Sequence, residues 1–133
     1  MKTKLDLPPS PLLLLAVLWC LAIAPLAAGT RVHTPASIPS FGGGAALAAK
    51  LFAPDPAVWA APYPVITMLP GGGAGIDSVE WAATRLAETG YVSIITLPAS
   101  GGSTASYNAA ARSGLDFLAS PANPFLAECD LNR

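Results

Sequence analysis

Two short apolar runs, each closed by a proline, constrain this chain more than any other feature. Val65-Ile66-Thr67-Met68-Leu69 ends at Pro70, and Tyr91-Val92-Ser93-Ile94-Ile95-Thr96-Leu97 ends at Pro98. Neither alternates apolar with polar, so neither can rest one face on water. Short β-branched runs of this kind read as strands buried on both faces. Between them Val79, Ala82, Ala83, Leu86 and Ala87 recur at helical spacing and form one apolar face. Asp77, with Glu80 three residues on, has the spacing of a capping box, and Gly90 stands where a helix ends in the left-handed conformation. Strand, helix and strand in this order predict a parallel βαβ unit.

The remaining elements group around that unit. Residues 31–44, rich in Pro, Ser and Gly, read as a flexible leader, and Ala45–Ala53 as an edge strand. A second helix is expected from about Ser106 to Ala119, with Ala111, Gly114, Leu115 and Leu118 on one face and Pro121 and Pro124 preventing its continuation. Asp130 to Arg133 reads as the approach to another strand. Central strands with few neighbours leave unpaired edges, so the expectation is part of a domain rather than a whole one.

The first 28 residues read differently. Lys2 and Lys4 precede an unbroken apolar run from Leu12 to Ala24, which Pro25 closes, and Leu26-Ala27-Ala28-Gly29 supplies small residues. This is the pattern of a secretory signal peptide cut near Ala28 or Gly29. The run is shorter than the roughly 20 residues a membrane span requires. Trp19 before Cys20 argues against a lipoprotein site. The division expected is residues 1–28 as signal peptide, 29–44 as leader, and 45–133 as folded domain. The location is extracellular or periplasmic, with membrane contact only through the signal segment.

Charge narrows the function further. Seven Lys and Arg against eight Asp and Glu leave a net charge of −1, with the basic residues scattered. Nucleic acid needs a concentrated basic face, so it is excluded as a partner. Loss of the signal peptide removes Cys20 and leaves Cys129 alone, and His33 has no companion ligand. No metal and no organic cofactor is implied.

Pro70-Gly71-Gly72-Gly73-Ala74-Gly75 joins the first apolar strand to the helix, the position at which open α/β sheets bind ligands. Dinucleotide binding fails on spacing, because Ile76 stands where the third glycine is needed and no acid follows the second strand. A P-loop fails because no Lys-Ser or Lys-Thr follows. An oxyanion hole and a plain tight turn both remain open.

From Tyr63 to Arg133 the order of features resembles the dienelactone-hydrolase-like and polyester-hydrolase (cutinase-like) branch of the α/β-hydrolases. The features are Tyr63-Pro64-Val65-Ile66, Pro70-Gly71, Trp81, Leu86-Ala87, Gly90-Tyr91-Val92, the helix with Ala111, Leu115 and Leu118, and Asp130-Leu131-Asn132-Arg133. The resemblance covers a little over half of the chain. It implies an α/β fold, a partial α/β-hydrolase three-layer sandwich with a mostly parallel sheet, and a secreted serine carboxylic-ester hydrolase acting on a small ester or polyester. Gly72 would then donate the first oxyanion N–H. Pro98-Ala99 departs from the acidic or polar residue usual in the family after the second strand.

A serine esterase also needs a nucleophile, a histidine and an acid. The only histidine, His33, lies in the leader and reads as a solvated residue. Gly101-Gly102-Ser103-Thr104-Ala105 approaches a nucleophile motif, but Pro98, Ala99 and Ser100 separate it from its strand, so Ser103 reads as a turn or helix start. Asp116 reads as an exposed acid, and Trp59 and Trp81 as packing residues. The chain is therefore expected to carry the oxyanion loop of an esterase without its triad, and to be inactive alone. The alternative is a non-catalytic secreted binding module. N-terminal sequencing of the exported protein should begin at Gly29 or Thr30; retention of Met1–Ala28 on the exported product would overturn the signal reading.

Overall fold

The computed structural model describes residues 29–35, 37–99 and 102–132. The expected signal peptide and its cleavage site up to Ala28 therefore lie outside the described residues, as do Ser100, Gly101 and Arg133. Five strands form one sheet: β1 (Thr30–His33), β2 (Ala49–Pro54), β3 (Tyr63–Met68), β4 (Val92–Thr96) and β5 (Cys129–Asp130), in spatial order β1-β2-β4-β3-β5. Two α-helices accompany them, α1 (Glu80–Glu88) and α2 (Thr104–Leu118), with 3₁₀ turns at Ile76–Val79 and Leu126–Glu128. No helix among the described residues is long and apolar enough to cross a membrane.

The sheet is mixed. β1 with β2 and β2 with β4 run antiparallel, while β3 runs parallel to β4 and to β5. The five strands curl into a half-barrel. This overturns the expected mostly parallel sheet of a partial α/β-hydrolase three-layer sandwich. The cause lies ahead of the two apolar runs. Thr30–His33, expected as flexible leader, pairs with β2, and β2 sits between β1 and β4 instead of at the edge. His33 accordingly lies opposite Leu51 in a strand.

All five residues of β4 are buried. Successive strand residues point to opposite faces, so Ile94 and Ile95 serve two different cores. Ile95 packs with Phe52 against Ala83 and Ala87 of α1, with Met68 beside them. Ile94 packs with Leu51, Val92 and Tyr63 against Ala110, Phe117 and Leu118 of α2. The two helices therefore lie on opposite faces of β4. β3 is less enclosed than expected of a central strand, and Ile66 is 37% exposed.

Several local expectations shift by a fraction of a turn. The capping box at Asp77 does not form. A 3₁₀ turn precedes α1, Val79 occupies the N-cap position without a side-chain hydrogen bond, and the Glu80 carboxylate instead takes Lys50 Nζ at 2.6 Å. The other end of α1 follows expectation. Gly90 has φ +94°, its N–H donates to the Ala87 carbonyl, and the Tyr91 N–H donates to the Leu86 carbonyl. These are the paired bonds of a Schellman stop. α2 begins two residues early because the Ser103 hydroxyl caps it, accepting the Ser106 N–H at 3.2 Å. Its buried face is Ala110, Ser113, Gly114, Phe117 and Leu118; Leu115, expected inside, is 46% exposed. Trp81 is 70% exposed and is not a packing residue, whereas Trp59 lies over Gly90 and donates Nε1–H to the Glu88 carbonyl at 3.0 Å.

Two contacts tie distant elements together. Arg31 of β1 makes a two-pronged ion pair with Glu128, at 3.0 and 2.5 Å, donates Nε–H to the Pro54 carbonyl, and lies over the Phe125 ring. The Arg31 hydrogen bond holds the Glu128 carboxyl below its usual range, against the opposing effect of partial burial. On the α2 face, Gly114 lets the helix approach the sheet closely. A Cβ there would stand 2.6 Å from Thr67 Oγ1, 2.8 Å from Thr96 Oγ1 and 3.1 Å from Ile94 Cγ2.

Gly114→Ala should therefore destabilise the fold by about 1–3 kcal/mol of overpacking, exceeding the roughly 1 kcal/mol that alanine gains in helix propensity. A urea midpoint equal to or above wild type would refute the close approach. The lowered Glu128 value makes a second prediction. Its contribution is fully present above the ordinary carboxylate range and is lost as pH falls through the depressed folded-state value. The stability gap between wild type and Glu128→Gln should be widest near neutral pH and close in acid; a gap unchanged down to acid would remove the ion pair as its cause.

Candidate functional site

β3 and β4 are parallel neighbours whose exits diverge. From Met68 the chain turns to α1 on one face, and from Thr96 it turns to α2 on the other. Where adjacent strands send their connections to opposite faces, the loops part and leave a crevice at the carboxyl ends, the usual ligand position in such sheets. Here the crevice has a volume of about 430 Å³. One wall is the glycine loop, with Gly71, Gly73, Ala74 and Gly75. The other is Leu97, Pro98 and Ala99, and Gly102 and Tyr107 complete it. Among the described residues the lining carries no charged side chain.

The glycine loop is a tight turn. The Ala74 N–H donates to the Gly71 carbonyl at 3.0 Å, and Gly73 has φ +77°. Positive φ at the third position is the requirement of a type II turn, and glycine meets it without strain. Gly72 does not itself line the crevice, but stands between two residues that do. Among the described residues its N–H has no hydrogen-bond partner. The Tyr107 hydroxyl lies 3.6 Å from where a Cβ on Gly72 would stand. The tight turn expected as one alternative is formed, and in the same loop the Gly72 N–H is without a partner among the described residues.

The second wall is tied to α2. The Ser106 hydroxyl donates to the Ala99 carbonyl at 2.9 Å, and the Ser103 cap fixes the helix start. Tyr107, one helical turn after Ser103, is placed by these two bonds. Tyr107 was not singled out by sequence reasoning. Its only signal was its position just after the cap of a helix that follows a strand exit, and nothing in the spacing tied it to Gly72.

The remaining candidates are dispersed. Ser103 is an exposed cap residue, and His33 lies on β1, separated from β4 by β2. Among the described residues they form no nucleophile–base pair. Asp116 is exposed on α2, and Trp59 and Trp81 do not line the crevice. Cys129 is half-buried, with its thiol donating to the Phe125 carbonyl at 3.2 Å, and burial pushes its pKa up, so it is held as an unreactive thiol. No group of acids, histidines and cysteines among the described residues could hold a metal ion. No family model matches the chain, and no curated protein matches it.

Proposed function

We propose that this chain supplies the carbonyl-binding loop of a secreted carboxylic-ester hydrolase, with Gly72 giving one oxyanion N–H and the nucleophile, acid and histidine contributed by sequence following Arg133. The observation that carries this reading is the Gly72 N–H, without a partner among the described residues, beside a crevice at the exits of β3 and β4 whose described lining is uncharged. A donor held in a rigid turn and not committed to the protein can meet negative charge as it develops on a tetrahedral intermediate, with no reorganisation needed. The reading rests on this crevice and the chain's resemblance from Tyr63 onward, not on a mostly parallel sandwich. A second reading, a non-catalytic binding module, is favoured by one fact: Ser103 and His33, the nearest approach to catalytic residues, stand apart on different elements.

The test has two steps. The 133-residue chain should not hydrolyse p-nitrophenyl butyrate. Sequencing of the transcript beyond the Arg133 codon should reveal an in-frame Gly-x-Ser-x-Gly within about ten to fifteen residues, with Asp and His further on, and that longer product should hydrolyse the ester. A stop codon directly after Arg133 in independent transcripts, with no hydrolysis, would leave the binding module as the function.

A further inference from the structure

We propose that Tyr107 is the side-chain hydrogen-bond donor of the crevice, and that with the uncharged lining it selects a neutral ester carbonyl over an anionic ligand. The inference rests on the crevice being the site of the proposed function, and adds to it the residue and the ligand class.

Three observations converge on Tyr107. Its hydroxyl makes no hydrogen bond among the described residues, although the ring is half-buried in the crevice wall. It lies against the glycine turn, 3.6 Å from where a Cβ on Gly72 would stand. Its backbone belongs to the capped first turns of α2, so the ring is carried on a rigid element rather than on a loop. A phenol hydroxyl so placed can donate to an oxygen lying against the glycine turn.

Charge decides which oxygen. A phosphate or carboxylate site is ordinarily built with Arg or Lys, and the walls here consist of Gly, Ala, Leu, Pro and Tyr. An acid stands beside the glycine loop: Asp77 Oδ1 lies 2.5 Å from where a Cβ on Gly75 would stand. An anion would lose its hydration against apolar walls and face a like charge. An ester would lose little hydration, bury its alkyl part against Leu97 and Pro98, and present one acceptor to the Tyr107 hydroxyl.

The test is backbone amide NMR of the full chain titrated with three probes: ethyl butyrate, butyrate and inorganic phosphate. Ethyl butyrate should shift the Gly71–Gly75 amides, and the two anions should not. Tyr107→Phe keeps the ring and should weaken ethyl butyrate about three- to tenfold, the range for one neutral hydrogen bond. Gly72→Ala places a methyl at ordinary contact distance from the hydroxyl without a left-handed backbone, so it should leave the remaining spectrum intact and abolish the response. Unchanged ester binding in Tyr107→Phe, with loss in Gly72→Ala, would overturn the role of Tyr107 while leaving the crevice as the site. Phosphate or butyrate binding as tight as the ester would overturn the selection for a neutral ligand. Silence of Gly71–Gly75 with all three probes would overturn the crevice reading together with this inference.

Discussion

The architecture depends on covering both faces of β4. Val92, Ile94 and Ile95 are fully buried, and burial of each such side chain contributes about 1.5–3 kcal/mol. That exceeds the contribution of most single caps or exposed ion pairs, generally about 1 kcal/mol or less. Since Ile94 and Ile95 are consecutive, they point to opposite faces, and one helix cannot cover both. α1 must take one face and α2 the other. The divergence of the β3 and β4 exits follows from this, and so does the crevice. The candidate site is in this sense a by-product of strand burial, later furnished by the glycine turn and Tyr107.

The elements that were legible are those whose signals are local. The two proline-bounded apolar runs became β3 and β4, and Gly90 ended α1 because a left-handed stop suits glycine. The elements that were misread depend on residues far away in the chain. Residues 30–33 form a strand because β2 offers an edge and Arg31 reaches Glu128, 97 residues later. Glu80 spaces correctly for a capping box, yet Lys50 from β2 claims its carboxylate. Leu115 lies within an apolar spacing pattern, but the register of α2 is set by Gly114 against Thr67 and Thr96, which turns Leu115 outward.

The mixed sheet illustrates the same limit. Apolar periodicity identifies a strand that is buried, but not the direction of its neighbours. Parallel pairing of β3 and β4 followed from the helix between them. Antiparallel pairing of β1 and β2 came from a stretch whose Pro, Ser and Gly content had suggested no regular structure. A strand as short as β1 carries too little pattern to be read alone, and is held by pairing and by the Arg31–Glu128–Phe125 contacts.

By itself the sequence determined that two strands flank a helix and that a glycine loop follows the first. It also placed Gly72 in a tight turn, which is a property of adjacent residues. Only the tertiary structure decided that the sheet is mixed, that β2 lies inside it, and that Tyr107 faces Gly72. The physical reason is that backbone conformation is selected by neighbours within a few residues, whereas strand direction, helix rotation and the meeting of two loops are selected by which faces must be buried together.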